Sequence, residues 1–218
     1  MKNEPNTRKT LRHGLASGMV LVCLGGVLSA CVPLVPLIVG GAVVGGALIA
    51  TDRRTSGAQL EDEGIELRGG ARLREGFGER ANVTITSYNR QVLLTGEVPT
   101  AQDKQSVEQT IARVENVRAI VNEISVSGIA SLAQRSSDAL VTGKVKARLV
   151  DAKDVYATAF KVVTERGTTY LMGRVSQREA DRATEIARGT DGVQRLVRVL
   201  EIISEEELKR LLPAPAAQ

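Results

Sequence analysis

The side chains best suited to covalent chemistry in this 218-residue chain are two cysteines and one histidine, and all three lie within residues 1–31. Cys31 ends the tetrapeptide Leu-Ser-Ala-Cys, which follows an uncharged stretch that begins at Leu15. Four bases and one acid precede the stretch: Lys2, Arg8, Lys9, Arg12 and Glu4. A basic start, a short apolar stretch and small residues before a cut site are typical of a bacterial export signal, whereas a membrane-spanning helix needs roughly 20 apolar residues. The Cys31 thiol could therefore be a core group, half of a disulfide or an attachment point.

Residues 28–31 resemble the lipobox of bacterial lipoproteins. The resemblance implies that a diacylglyceryl group is transferred to the Cys31 sulfur, that the chain is cleaved before Cys31, and that the new amino group is acylated, for example with palmitate. Stable anchoring requires two or more hydrophobic signals, and a triacylated cysteine meets that requirement. The alternative is a cysteine that happens to end an ordinary signal. We expect residues 1–30 to be a signal peptide and Cys31 to be the lipidation site.

Removal of residues 1–30 would change the chemistry available to the protein. It leaves 25 basic and 24 acidic residues, so the pI of 9.3 overstates the basicity. It also leaves no histidine and no cysteine other than Cys31. The common nucleophile–base pairs and the usual zinc sites would then be missing, so we expect no enzyme activity, no cofactor and no metal site. A charge near zero in a compartment without DNA also argues against nucleic acid.

Residues 32–50 (VPLVPLIVGGAVVGGALIA) are again uncharged. Pro33 and Pro36 oppose a regular helix start, while Gly41 and Gly45 match the small-xxx-small packing pattern. We predict a membrane-hugging tether over residues 31–58; a second membrane-embedded helix is the alternative. Position 32 is Val where enterobacterial lipoproteins retained in the inner membrane carry Asp, so the resemblance implies sorting to the outer membrane, facing the periplasm.

Beyond Thr51 the chain contains an internal duplication. ITSYNRQVLLTGEV (85–98) aligns with VVTERGTTYLMGRV (162–175) at an offset of 77, and VRAIVNEISV (117–126) aligns with VQRLVRVLEI (193–202) at an offset of 76. The offset is too long for a solenoid repeat, so each copy should have its own core. We predict a first domain over residues 59–128, a second over 136–204 and a C-terminal tail over 205–218.

Each copy shows the same order of periodic patterns. Alternating apolar residues predict two strands joined by a hairpin turn at Asn89-Arg90 and at Arg166-Gly167. The spacing of Val107, Ile111 and Val114 predicts a helix that Thr100 could cap, and helices near 60–75 and 137–150 precede the hairpins. The last strands place these residues on one side: Ile120, Ile124 and Val126, matched by Leu196, Leu200 and Ile202. The fold class is α+β, with the order α-β-β-α-β twice. Two acidic clusters, Glu61–Glu63 and Glu205–Glu207, are interpreted as helix starts and solvated caps.

Gly96 and Gly173 lie mid-strand, where glycine marks a bulge or close packing, so we interpret both as structural. LLTGEV with Val117, and LMGRV with Gly192-Val193, resemble the BON domain, although Asn116 stands where the second copy has Gly192. Two such copies behind a lipobox resemble the dual BON-domain outer-membrane lipoproteins, the division- and outer-membrane-stress-associated lipid-binding family. The resemblance implies a non-enzymatic envelope protein that binds anionic phospholipid, such as phosphatidylglycerol or cardiolipin, and supports outer-membrane integrity.

The second copy is the cationic one, with thirteen bases and nine acids over residues 131–203 against ten and twelve over 51–130. In its first helix, SDALVTGKVKARLV, Leu140, Lys144 and Arg148 share a face and Lys146 lies further round. Such a face suits anionic headgroups, and equally a plain solvated surface. The resemblance places phospholipid binding on this helix, although a family member carries tryptophan where this chain has Leu140. The alternative function is an adaptor for an outer-membrane assembly or division factor.

Overall fold

The computed structural model of the protein describes residues 52–211. The predictions for the signal peptide, Cys31 and residues 32–50 lie outside the described residues, as does the end of the predicted tail. The first copy contains α1 (Ser56–Phe77), a 3₁₀ turn (Gly78–Arg80), β1 (Asn82–Tyr88), β2 (Gln91–Val98), α2 (Ala101–Ala112), β3 (Ala119–Asn122) and β4 (Ser125–Val126). The second copy contains α3 (Leu132–Asp151), a 3₁₀ turn (Ala157–Ala159), β5 (Phe160–Glu165), β6 (Thr168–Ser176), α4 (Gln177–Arg188) and β7 (Arg195–Ile203), and α5 (Glu205–Leu211) follows.

Each copy forms a small mixed sheet with a central second strand. β2 is antiparallel to β1 and parallel to β3 and β4, and β6 is antiparallel to β5 and parallel to β7. The predicted α+β class and the order α-β-β-α-β are confirmed. The last strand of the first copy is divided because the Asn122 side chain accepts a hydrogen bond from the Ile124 amide at 3.2 Å, a local bond that competes with the ladder.

Side-chain caps determine where the helices begin. Thr100 accepts a hydrogen bond from the Asp103 amide at 3.0 Å, which confirms the predicted cap of α2. Thr55 and Ser131 cap α1 and α3, so both helices begin a few residues earlier than predicted. Among the described residues, no helix is both long and apolar enough to cross a bilayer.

Both hairpins turn through two residues with positive φ: Asn89 (49°), Arg90 (64°), Arg166 (50°) and Gly167 (73°). This is the left-handed geometry of the predicted turns. A buried carboxylate from the preceding helix holds each turn. Asp62 accepts from both turn amides at 2.7 Å, and Asp138 does the same at 2.9 Å. The prediction that the cluster Glu61–Glu63 is a helix start and a solvated cap is therefore wrong in two ways. The helix α1 already begins at Ser56, and Asp62 is 2% exposed. The prediction that Glu205–Glu207 starts a helix is confirmed.

Each copy has its own core between its helices and one face of its sheet, as predicted. The first core includes Ile65, Val92, Leu94, Val107, Ile111 and Ile124. The second includes Val141, Val145, Leu149, Leu171, Val175 and Ala183. Of the residues predicted to share one side of the last strands, Ile120, Ile124, Leu196 and Leu200 pack against these cores. Val126 and Ile202, which lie further along the strands, are about half exposed.

A third apolar cluster joins the two copies. It contains Tyr88 and Leu93 from the first sheet and Tyr170, Met172 and Val199 from the second. These residues alternate along the strands with core residues, so each sheet packs helices on one face and the other sheet on its second face. Residues 56–203 therefore form four layers, in the order helices, sheet, sheet, helices.

Ion pairs surround this sheet-to-sheet contact. Lys161, Arg166 and Arg195 of the second copy bind Glu66, Glu97 and Glu123 of the first, at 2.8, 3.4 and 2.6 Å respectively. A fourth pair runs the other way, from Arg118 to Glu201 at 2.8 Å. Three bases of the second copy thus face acids of the first, which accounts for much of the charge asymmetry seen in the sequence.

Candidate lipid-binding surface

Helix α3 has an apolar surface on the side turned away from its core. Asp138, Val141, Val145 and Leu149 are buried on the inner side. On the outer side, Leu132, Leu140 and Val150 are 74%, 69% and 70% exposed. The residues between them on this side are small and exposed: Ala133, Ser136, Ala139, Gly143 and Ala147. We call this set the α3 outer stripe. Large apolar side chains exposed to this extent along one helix mark a contact surface.

Lys144 and Lys146 border the α3 outer stripe on opposite sides. With 100° between successive residues of a helix, Lys144 lies 40° from Leu140 on one side, and Lys146 lies 120° from it on the other. Both lysines are exposed, and neither forms an ion pair or side-chain hydrogen bond with another residue in the range 52–211. Two uncommitted positive charges beside an apolar stripe are the pattern of a helix that lies on an anionic membrane.

Arg148 is engaged within the fold. Its guanidinium donates to the main-chain carbonyl of Gly189, at the end of α4, and lies 3.4 Å from Thr190 Oγ1. The first copy repeats the contact, because Arg72 donates to the carbonyl of Arg113 at 2.6 Å. Each arginine thus satisfies a carbonyl that the helix end leaves free, where positive charge is also favoured by the helix dipole. We therefore assign Arg148 a structural role and keep Leu140, Lys144 and Lys146 as candidate lipid contacts.

A cleft of about 470 Å³ lies between α3 and α4, with Arg148 and Arg182 in its wall. Arg182 is bound at 2.7 Å by both Asp154 and Glu185, so its charge is compensated. An anionic headgroup would have to displace those carboxylates. The cleft is therefore a poorer candidate for a lipid site than the α3 outer stripe. The structure also places no group of three potential ligands for a metal ion within residues 52–211.

The two mid-strand glycines lie against the backbone at the start of the neighbouring strand, Asn82 in the first copy and Ala159, just before β5, in the second. A Cβ added at Gly96 would overlap the carbonyl oxygen of Asn82, and φ at Gly96 is +107°. A Cβ at Gly173 would lie 2.5 Å from the carbonyl oxygen of Ala159. Real Cβ atoms do not approach an oxygen so closely, so the backbone would have to move. The close strand contact, rather than a phosphate loop, accounts for both glycines.

Arg53 and Arg54, which the sequence periodicity did not single out, hold the first described residues of the chain against the two domains. Arg53 donates to both carboxylate oxygens of Glu179 at 2.7 and 2.6 Å, and each side chain is 1% exposed. Burial opposes ionisation of Glu179, but the hydrogen bonds from Arg53 and from the Ser176 amide prevail and lower its pKa. Arg54 binds Asp62 at 2.9 Å. Arg53 and Glu179 are 126 positions apart, and no periodic pattern could have revealed that pairing.

Two stretches of the chain, residues 62–128 and 137–204, match the BON domain. They coincide with the two copies described above. The chain therefore belongs to the BON-domain family, and specifically to its dual-domain outer-membrane lipoproteins. The match confirms the predicted BON family, and the similarity to an outer membrane lipoprotein, given next, confirms the predicted outer-membrane location.

The relatives support this assignment. Outer membrane lipoprotein DolP of Haemophilus influenzae is 36% identical over 171 residues, which cover 78% of this chain and 88% of that protein. The 21 kDa hemolysin of Actinobacillus pleuropneumoniae is 34% identical over 154 residues, covering 70% and 79%. Osmotically-inducible protein Y of Escherichia coli is 28% identical over 116 residues, covering 52% and 58%.

Proposed function

We propose that this envelope lipoprotein binds anionic phospholipid through the α3 outer stripe and its two flanking lysines, and so supports outer-membrane integrity. The observation that carries the proposal is the combination of Leu132, Leu140 and Val150 in water with Lys144 and Lys146 beside them. In this proposal the protein acts by binding and not by catalysis.

The energetics favour a local and modest contact. A base near an anionic leaflet contributes about 1 kcal/mol, and an interfacial helix adds the burial of its apolar face. The general charge of the second domain does not supply the affinity, because Lys161, Arg166 and Arg195 are bound by acids of the first domain. Two lysines and a short apolar stripe give weak binding by themselves, so the membrane anchor would have to supply much of the attachment.

We further propose that Cys31 carries this anchor and that residues 1–30 are removed. The residues from Cys31 to the Thr55 cap of α1 would then tether the domains to the periplasmic face of the outer membrane. The support is the lipobox-like sequence together with the membership of a lipoprotein class. The substitution Cys31→Ser should abolish labelling by radioactive palmitate and release the protein from outer-membrane fractions. A variant that is still labelled and still fractionates with the outer membrane would contradict the anchor.

A second surface favours the adaptor function. Leu60 and Leu67 on α1 are 70% and 72% exposed and lie seven residues apart, on the same side of the helix. Their neighbours on this side include Glu63 and Arg74, both exposed and of opposite charge, so the surface lacks the net positive charge of the α3 outer stripe. A protein such as an assembly or division factor suits that chemistry better than an anionic lipid does.

Flotation of the 51–218 fragment with vesicles discriminates between the two functions. Binding that requires phosphatidylglycerol or cardiolipin, and that fails with phosphatidylcholine alone, supports the lipid function. Absence of binding to every vesicle, together with capture of an envelope protein that is lost on Leu60→Ser and Leu67→Ser substitution, supports the adaptor.

A further inference from the structure

Arg53, at the end of the tether that joins the folded domains, is bound to the second domain, although the first domain follows it directly in the chain. Besides its paired contacts with Glu179, Arg53 donates to the main-chain carbonyl of Arg174 at 3.2 Å. Its guanidinium carbon lies 5.6 Å from the centre of the Tyr156 ring. A bidentate arginine–carboxylate pair imposes a defined geometry, and burial removes the alternatives that water would offer. Buried ion pairs add little net stability, so fixing a position is the better explanation for this one.

Arg54 makes the matching attachment to the first domain. It binds Asp62 at 2.9 Å, and its guanidinium carbon lies 4.3 Å from the centre of the Tyr88 ring. Arg53 and Arg54 thus hold the chain to the second and the first domain respectively. Together they define the point at which the tether joins the two domains, which we call the exit point.

That point lies beside the loop that follows α3. The helix ends at Asp151, and Tyr156 belongs to the loop that follows it. The same loop contacts the start of α4, where Arg178 donates to the Asp154 carbonyl at 3.1 Å. The uncharged stretch ends at Ala50, and three residues reach at most about 10 Å. The chain therefore enters the described region beside the loop that follows α3, the helix that carries both flanking lysines.

We propose that Arg53 is a positioning residue. Through Glu179 it holds the tether against the second domain, and thereby presents the α3 outer stripe to the membrane in which the protein is anchored. This inference rests on the proposed function. Because the tether makes binding intramolecular, a fixed exit point raises the effective concentration of anionic lipid at the stripe, and a freely swivelling tether would lower it.

The test uses the full lipidated protein in vesicles that contain phosphatidylglycerol. The chain has no tryptophan, so Leu140→Trp places a single fluorophore on the α3 outer stripe. Brominated lipid in the anchoring vesicles then reports contact in cis, and brominated lipid in separately added vesicles reports contact in trans. The test variant combines Arg53→Leu with Glu179→Gln, which removes both charges and leaves no unpaired buried ion. The Glu179→Gln side chain keeps an oxygen for the Ser176 amide. The control combines Arg198→Leu with Asp181→Asn, which removes an exposed ion pair of the second domain and, like the test variant, leaves the net charge unchanged.

We expect strong quenching in cis for the parent and a roughly tenfold lower stripe–membrane association constant for the Arg53→Leu/Glu179→Gln variant. The Arg198→Leu/Asp181→Asn control should show the quenching of the parent. Equal quenching in the parent and the double variant would overturn the positioning role. Quenching only in trans would overturn the orientation while leaving lipid binding intact, whereas no quenching in any sample would refute the proposed function itself. If the double variant has a lower melting temperature than the parent, a long Gly/Ser insertion between Thr51 and Asp52 is the second test. It keeps the Arg53–Glu179 pair but removes the fixed distance between the membrane anchor and the exit point. It should cause the same loss, and unchanged quenching would again overturn the proposal.

Discussion

Arg148 donates a hydrogen bond to the main-chain carbonyl of Gly189 and so joins the first helix of the second domain to the end of the second helix. The repeat of this contact by Arg72 in the first domain shows that the duplicated fold uses a basic residue here for packing. A basic row read from sequence therefore has to be divided into bases that hold the fold and bases that face solvent.

The first prediction separates these two kinds of base. Arg148→Ala should lower the free energy of unfolding by about 1 kcal/mol, because one charge-assisted hydrogen bond is lost and a helix-end carbonyl is left to water. Lys144→Ala, on the same helix, should change it by less than about 0.5 kcal/mol. Urea unfolding of the 51–218 fragment measures both. Equal effects would show that the Gly189 contact contributes nothing.

The second prediction concerns glycine. Gly173→Ala should destabilise the protein by about 1–3 kcal/mol, because the new Cβ would meet the Ala159 carbonyl oxygen at 2.5 Å. Gly143→Ala is the matched control: its Cβ meets nothing within 4 Å on the outer side of α3, so the better helix former should stabilise by about 0.5–1 kcal/mol. The melting temperatures of both variants measure these effects. A change of the same sign in both would contradict the close backbone contact at Gly173.

The third prediction uses the contact between the sheets. Burial raises the pKa of Tyr88 and of Tyr170 to about 12, from an ordinary value of 10. The neutral phenols are favoured in the folded state, so their contribution to stability is complete below pH 10 and is lost as the pH rises through 12. Ultraviolet titration of tyrosinate should show Tyr88 and Tyr170 ionising late. Ordinary ionisation of both would mean that the two sheets do not cover them.

Local chemistry allowed the duplicated α-β-β-α-β order, the Thr100 cap and both hairpin turns to be predicted from sequence. The contacts between the sheets could not be predicted in this way. The alternation that buries Leu94 on the helix side also places Leu93 opposite it, but nothing in the sequence says that a second sheet will cover that face. The roles of Asp62 and Arg53 could not be predicted for the same reason, because each depends on partners that only the fold brings together.

The candidate lipid-binding surface could be predicted only in part from the sequence. The apolar leader Leu140 and the bases beside it were recognisable from helical spacing. Leu132 and Val150 were not recognised as parts of the same stripe. The predicted helix began after Leu132, and only the basic residues on its outer side were considered as possible lipid contacts besides Leu140. Charge counting over a whole domain was misleading, because Lys161, Arg166 and Arg195 face the neighbouring domain.

The most direct test of the account is the affinity of the 51–218 fragment for phosphatidylglycerol vesicles after Lys144→Glu and Lys146→Glu are combined. Each reversal exchanges attraction for repulsion, and a base at such a surface contributes about 1 kcal/mol, so the affinity should fall by more than about tenfold. Added salt should shrink the difference, since exposed charges are screened within about 8–10 Å. Arg74→Glu with Arg113→Glu imposes the same charge change on exposed positions of the first domain and should have little effect. An equal loss in both pairs, or no loss in either, would contradict a dedicated lipid-binding surface on α3.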